Sequence, residues 1–227
     1  MKIKKAFTMI ELVLIIVVVG ILATAVIPRT DRNAVLEAAN QVVSHIRYTQ
    51  HLAMLDNKFS YTDSRWYKDR WTIEFTQANV NGDTNWKYQV YSDTTRSGNL
   101  NSANEVAKDP QNPSKFLSAG WNGISDADAQ RVTDSLNLGK KFGITGVSFS
   151  AGCNANGNQS ISFDEKGRPY RKVSTIGGGG SADHMDRRLT QDCNITLSDG
   201  DGVNNRAIIT VYKETGYVEL VQFPTSL

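Results

Sequence analysis

Hydrophobic and polar positions fall along this chain in three regimes. From Leu12 to Ile27 there is an uninterrupted uncharged run of 16 residues. From Asn33 to Asn57 the apolar or small positions are Val35, Ala38, Ala39, Val42, Ile46, Thr49, Ala53 and Met54. Their spacing of three and four predicts an amphipathic helix. Glu37, Gln41, His45, Arg47 and Gln50 fall mostly off that face, so His45 and His51 read as solvated helix residues with no metal role. Beyond Ser60 the pattern becomes that of strands: "WTIEF" (71–75), "WKYQVY" (86–91), "GVSFS" (146–150), "SISFD" (160–164), "NITL" (194–197), "AIITVY" (207–212) and "YVELVQF" (217–223). Turn-rich "ANVNGDTN" separates the first pair and "KETG" the last pair, so the region reads as mostly antiparallel β. Residues 93–140 are polar and irregular and predict a surface excursion with a short helix near 126–136. No repeat or linker marks a second globular domain.

Composition narrows the partners. The chain has 227 residues and a formal charge of +2, from 25 basic and 23 acidic residues. Lys2, Lys4 and Lys5 all precede Phe7, and without them 22 basic residues face 23 acidic ones. A near-neutral body lacks the strong positive balance of a dedicated nucleic-acid binder.

The opening stretch, "KKAFTMIELVLIIVVVGILATAVIP" (4–28), admits three readings. A cleaved secretory signal fits the basic start, the apolar run and Ala23-Thr24-Ala25. A plain membrane anchor fits the run, which is slightly short of the roughly 20 residues that span a bilayer. Neither explains Glu11, because a charge at a bilayer centre costs on the order of 3 kcal/mol and needs a partner. The third reading does. "KKAFTMIEL" resembles the cleavage motif of the type IV pilin and type II secretion pseudopilin family, with Ala6 where that family usually carries Gly.

That resemblance implies a leader over residues 1–6, removed by a prepilin peptidase, and a mature, N-methylated Phe7. It implies that Glu11 pairs with the terminal amine of a neighbouring subunit. It assigns 7–30 to a transmembrane and assembly helix and 31–227 to a periplasmic globular domain, with the amphipathic helix at 31–57 and the β region at 60–227. The fold class is then α+β, a pilin-like fold. Its long N-terminal helix is membrane-embedded in its first half and packed on an antiparallel β domain in its second. Joined, the helical segments would run roughly 50 residues, about 75 Å at 1.5 Å per residue. Pro28 would bend or break it, since proline removes a helical hydrogen bond. The expected placement is a single pass through the inner membrane. Other pilins or pseudopilins, the peptidase and the inner-membrane assembly platform are the expected partners.

Two pieces of the β region, "ISFDEKGRP" (161–169) and "ITVYKETGYVEL" (209–220), resemble the ends of GspH/FimT-type minor pilins. Phe163, Asp164, Gly167, Pro169, Thr215 and Gly216 carry that likeness. The export route it implies is oxidising, where disulfides persist, so Cys153 and Cys193 are expected to be bonded. Some FimT-type minor pilins act in DNA uptake. This makes a DNA-binding subunit of a transformation pilus the alternative to a secretion or pilus subunit. Its phosphate contacts would be Arg168, Arg171, Lys172, Arg187 and Arg188, though these also fit a solvated face.

Several motifs read as ordinary surface. The glycines of "IGGGGSADHMDRR" (176–188) lack the Gly-Lys-Ser/Thr of a phosphate loop. "SDGDGVNN" (198–205), with Asp199 and Asp201, lacks the carboxylate series of a calcium hand. Asn194 lies in an Asn-x-Thr glycan acceptor beside Cys193. No nucleophile elbow and no metal-ligand spacing appears, so the expectation is a subunit without enzymatic activity or cofactor.

Overall fold

The computed structural model describes residues 8–26, 33–63, 65–154, 159–172, 187–200 and 205–222. The chain forms two compact units, Met1–Arg32 and Asn33–Leu227.

The first unit contains one helix, α1 (Met9–Val26), whose 18 residues include no charge other than Glu11. The second opens with α2 (Ala34–Leu55) and continues through β1 (Trp71–Thr76), β2 (Lys87–Ser92), the short helices α3 (Asp126–Ala129) and α4 (Leu138–Phe142), β3 (Gly146–Phe149), β4 (Gln159–Phe163), β5 (Pro169–Arg171), β6 (Cys193–Ser198), β7 (Arg206–Val211) and β8 (Val218–Gln222). The strands form two four-stranded antiparallel sheets, ordered β2-β1-β4-β5 and β3-β6-β7-β8.

The expectation of one long N-terminal helix over 7–57 is overturned. Asn33 has an extended backbone (φ −70°, ψ 99°), and its side chain accepts from Leu36 N–H. That is an N-cap, which starts a helix and does not continue one. The helix covering the sheets is therefore α2, which contacts β1, β4, β6, β7 and β8. The expected passage through the inner membrane is overturned too: no helix among the described residues is long and apolar enough to cross a membrane. Eighteen residues rise only about 27 Å, against a hydrocarbon core of about 30 Å.

α2 forms because its spacing gives it something to bury. Val35, Ala38, Ala39, Val42 and Ile46 are at most 1% exposed, packed with Ile73, Phe163, Ile209 and Val218 from both sheets. Each fully buried Val or Ile contributes about 1.5–3 kcal/mol. His45 joins that face. It is buried, and its Nδ1 lies 2.6 Å from Tyr88 Oη. This corrects its assignment as a solvated residue.

The other face of the first sheet is covered by the 93–140 excursion, which is more than a surface loop. It closes a small core of its own around Tyr91, Leu100, Val106, Phe116 and Trp121. It also shields the β2 edge through Val90 N–H to Leu117 O and Ala107 N–H to Val90 O, each 2.9 Å.

Candidate functional site

α1 is the first candidate, because its surface is out of keeping with its surroundings. Every side chain from Leu12 to Val19 is 45–63% exposed, and all are apolar. No face is polar, so this is no amphipathic surface helix of an ordinary domain.

The one carboxylate sits in its first turn. Thr8 Oγ1 accepts from Glu11 N–H (3.3 Å), while Glu11 Oε2 accepts from Thr8 N–H (2.9 Å) and Thr8 Oγ1 (3.0 Å). This is a reciprocal capping box, Thr-x-x-Glu. The Thr8 backbone N–H, with the hydroxyl second, holds the Glu11 carboxyl below the usual carboxylate range. Glu11 thus has a partner in its own chain, and the signal was legible as "TMIE". Ala6, Phe7 and Pro28 lie outside the described residues.

The remaining sequence candidates are in the second unit. Cys153 and Cys193 form a disulfide, their Cα atoms 5.4 Å apart. It joins the start of β6 to the turn after β3.

The structure brings Arg171 to the 187–188 segment through Arg171 N–H to Arg187 O and a bridge between Tyr170 and Arg188. Three of the five basic residues meet carboxylates: Arg168 with Asp164 (2.7 Å), Lys172 with Glu74 (2.5 Å) and Arg188 with Glu214 (2.7 Å). Paired cations release fewer counterions when they meet phosphates. Asn194 Oδ1 accepts from Thr210 Oγ1 (2.8 Å), and Asp199 accepts from Asn205 Nδ2. Asp201 and the glycine run lie outside the described residues. Among those described, no group of three or more His, Cys, Asp or Glu is placed to hold a metal ion.

The two turns that carry the minor-pilin likeness meet in space. Asp164 accepts from Lys166 N–H (3.0 Å), Arg168 N–H (2.8 Å) and Tyr170 Oη (3.1 Å), which shapes the β4–β5 turn around Gly167 (φ +75°). Gln50 Nε2, on α2, donates to Gly167 O (2.8 Å) and to Thr215 O (2.9 Å) of the β7–β8 hairpin. A Cβ at Gly216 (φ +68°) would collide with the Gly167 carbonyl oxygen. Glycine is required there by both conformation and space.

Two clefts among the described residues of the second unit have room for a small molecule. One, of about 470 Å³, is bounded by the 80–83 turn and by residues 134–141. Of its two acids, Asp83 and Asp134, the first accepts from Asn137 Nδ2 (2.5 Å) and Lys140 Nζ (3.0 Å). The other, of about 380 Å³, lies between β1–β2 and the excursion and includes Glu74, Gln89, Asn99 and Trp121. Gln89 is buried, yet its Oε1 has no hydrogen-bond partner. An unmet buried polar atom costs about 1–3 kcal/mol.

No family model, curated protein or solved structure matches this chain.

Proposed function

We propose that this protein is a minor structural subunit of a filament of the type IV pilus or type II secretion pseudopilus kind, joined to its neighbours through α1 after leader removal. One observation carries the reading: a helix whose side chains from Leu12 to Val19 are all apolar and exposed, with a single carboxylate in its first turn. Such a helix gains by burial among others like it, at about 25 cal/mol per Å² of apolar surface removed from water. The "KKAFTMIEL" likeness supports the same role, and the folded second unit is what the filament displays.

The capping box makes the test sharper. In an assembled filament the Glu11 carboxylate answers both its own Thr8 N–H and a neighbour's terminal ammonium. Glu11→Gln keeps an acceptor for Thr8 but removes the charge, because Gln also serves in capping boxes. Crosslinking in cells that make the other subunits should give wild-type adducts. These fall to a small fraction in Glu11→Gln and to an intermediate level in Glu11→Asp, where the reach is one methylene shorter. Adducts at the wild-type level in Glu11→Gln would mean that the carboxylate only caps α1, and the assembly role would fail.

A further inference from the structure

We infer that the second unit contains an acid-released latch: protonation of the buried His45 frees the end of the 93–140 excursion around Ser135 from α2. This device does not depend on how the chain assembles.

The latch ties three elements together. Gln41 and His45 lie one turn apart on α2, Tyr88 stands on β2, and Ser135 belongs to the excursion. Gln41 Nε2 lies 2.8 Å from Ser135 O and 2.7 Å from Tyr88 Oη. A carbonyl oxygen only accepts, so the Gln41 atom facing it is the amide nitrogen, whose two hydrogens go to Ser135 and to Tyr88. Tyr88 Oη therefore accepts from Gln41, and its own proton points to His45 Nδ1, 2.6 Å away. That bond requires a lone pair on Nδ1, so the closed latch holds a neutral ring with its proton on Nε2. Tyr88 is 1% exposed, and its hydroxyl has no further partner among the described residues.

Protonation removes that lone pair. Nδ1–H and the Tyr88 O–H would then point at each other across one short gap. A hydroxyl proton turned away from His45 meets the Gln41 amide, which is also a donor. One contact must part, and once Gln41 is displaced the Ser135 carbonyl loses its donor. The titratable groups that face His45 are Tyr88 from β2 and Asp109 from the excursion. Asp109 attracts the imidazolium and is itself held by Gln111 N–H (2.8 Å) and Thr133 Oγ1 (2.8 Å). The charge therefore acts on the same stretch that Gln41 lets go. Burial outweighs Asp109 and lowers the His45 pKa, so the closed latch resists the proton. The open one, with the ring in water, accepts it near the ordinary value of about 6.5. Opening thus becomes easier as pH falls below that value. Ser135 also lines the cleft of about 470 Å³, so the latch controls one wall of it.

Native-state hydrogen exchange of the full chain at about pH 7.5, 6.5 and 5.5, corrected for intrinsic amide rates and repeated in low urea, tests this. The reporters are the amides of Thr133, Leu136 and Asn137, which donate to Ser118 O, Thr133 O and Asp134 O. Their protection should fall by up to about tenfold between pH 6.5 and 5.5. Low urea should not promote this opening, since a local release exposes little surface. His45→Gln should abolish the fall. Gln41→Ala, at a half-buried position, should lower the protection of the same amides already at about pH 7.5. The proposal is overturned by a fall that is absent from wild type, equal in His45→Gln, or seen only in step with the urea-promoted unfolding of β6 and β7. Wild-type protection in Gln41→Ala would overturn it as well.

Discussion

α1 and α2 are helices of similar length, 18 and 22 residues, with opposite solutions to the same problem. α2 alternates its chemistry around the axis and finds its partner within the chain: Ala38, Val42 and Ile46 are fully buried against two sheets. α1 has no polar face, and its apolar side chains from Met9 to Val19 are 45–88% exposed. Helical stability in proteins comes mostly from packing an apolar face and much less from propensity. α2 is therefore explained by its own domain. α1 is explained only by apolar surface from elsewhere.

The largest expected effect tests that contrast directly. Ile46→Ala removes a fully buried side chain from α2 and should lower unfolding free energy by about 2–5 kcal/mol. Ile15→Ala acts at a side chain that is 51% exposed and should stay within about 0.5 kcal/mol. Both are read by urea denaturation of the isolated protein. If Ile15→Ala costs as much as Ile46→Ala, α1 is buried in the free chain and the contrast collapses.

Glycine changes should then have opposite signs in the two settings. Gly216→Ala places a methyl group against the Gly167 carbonyl at φ +68°. It should destabilise by about 1–3 kcal/mol. Gly20, within α1, has nothing within 4 Å of a Cβ. There Gly20→Ala should favour the helix by up to about 1 kcal/mol, visible as increased helicity in a peptide spanning α1.

The smallest effect is on pH dependence, and it separates the helices by range. Burial lowers the His45 pKa, with Asp109 partly opposing it. Of the two states, only the unfolded one binds a proton as pH drops below the ordinary histidine value of about 6.5. Stability is thus full above that pH and declines below it, down to the native pKa. The slope is at most about 1.4 kcal/mol per pH unit. His45→Gln should flatten the melting temperature between pH 6.5 and 5 relative to wild type. Glu11 titrates lower, its pKa being depressed by Thr8. The α1 cap should persist through that window and be lost only in acid, as helicity at successive pH values would report.

What the sequence revealed follows from how local each cause was. α2 was legible because spacing alone specifies its face, and seven strands because alternation does. β5 was missed: it has three residues and begins with Pro169, so neither alternation nor propensity announces it. His45 was misplaced because its polarity argued for solvent, while Tyr88, 43 residues away, satisfies its ring. The helix start at Asn33 was in plain sight as a capping residue, but the pattern of residues on either side argued for continuity. The cleft that includes Glu74 and Gln89 was out of reach, because its walls come from β1–β2 and from an excursion with no periodicity to place it.

Gln50 has a consequence for how this protein can change over time. One amide holds the carbonyls of two turns that are 48 residues apart in the chain, Gly167 and Thr215. A residue gained or lost in either turn would move that turn's carbonyl away from the Gln50 amide and cost it this anchor. Among descendants of this sequence, Gln50, Gly167 and Gly216 should be kept together or replaced together. The 93–140 excursion accepts nothing from that amide, and its changes answer instead to its own core around Phe116 and Trp121.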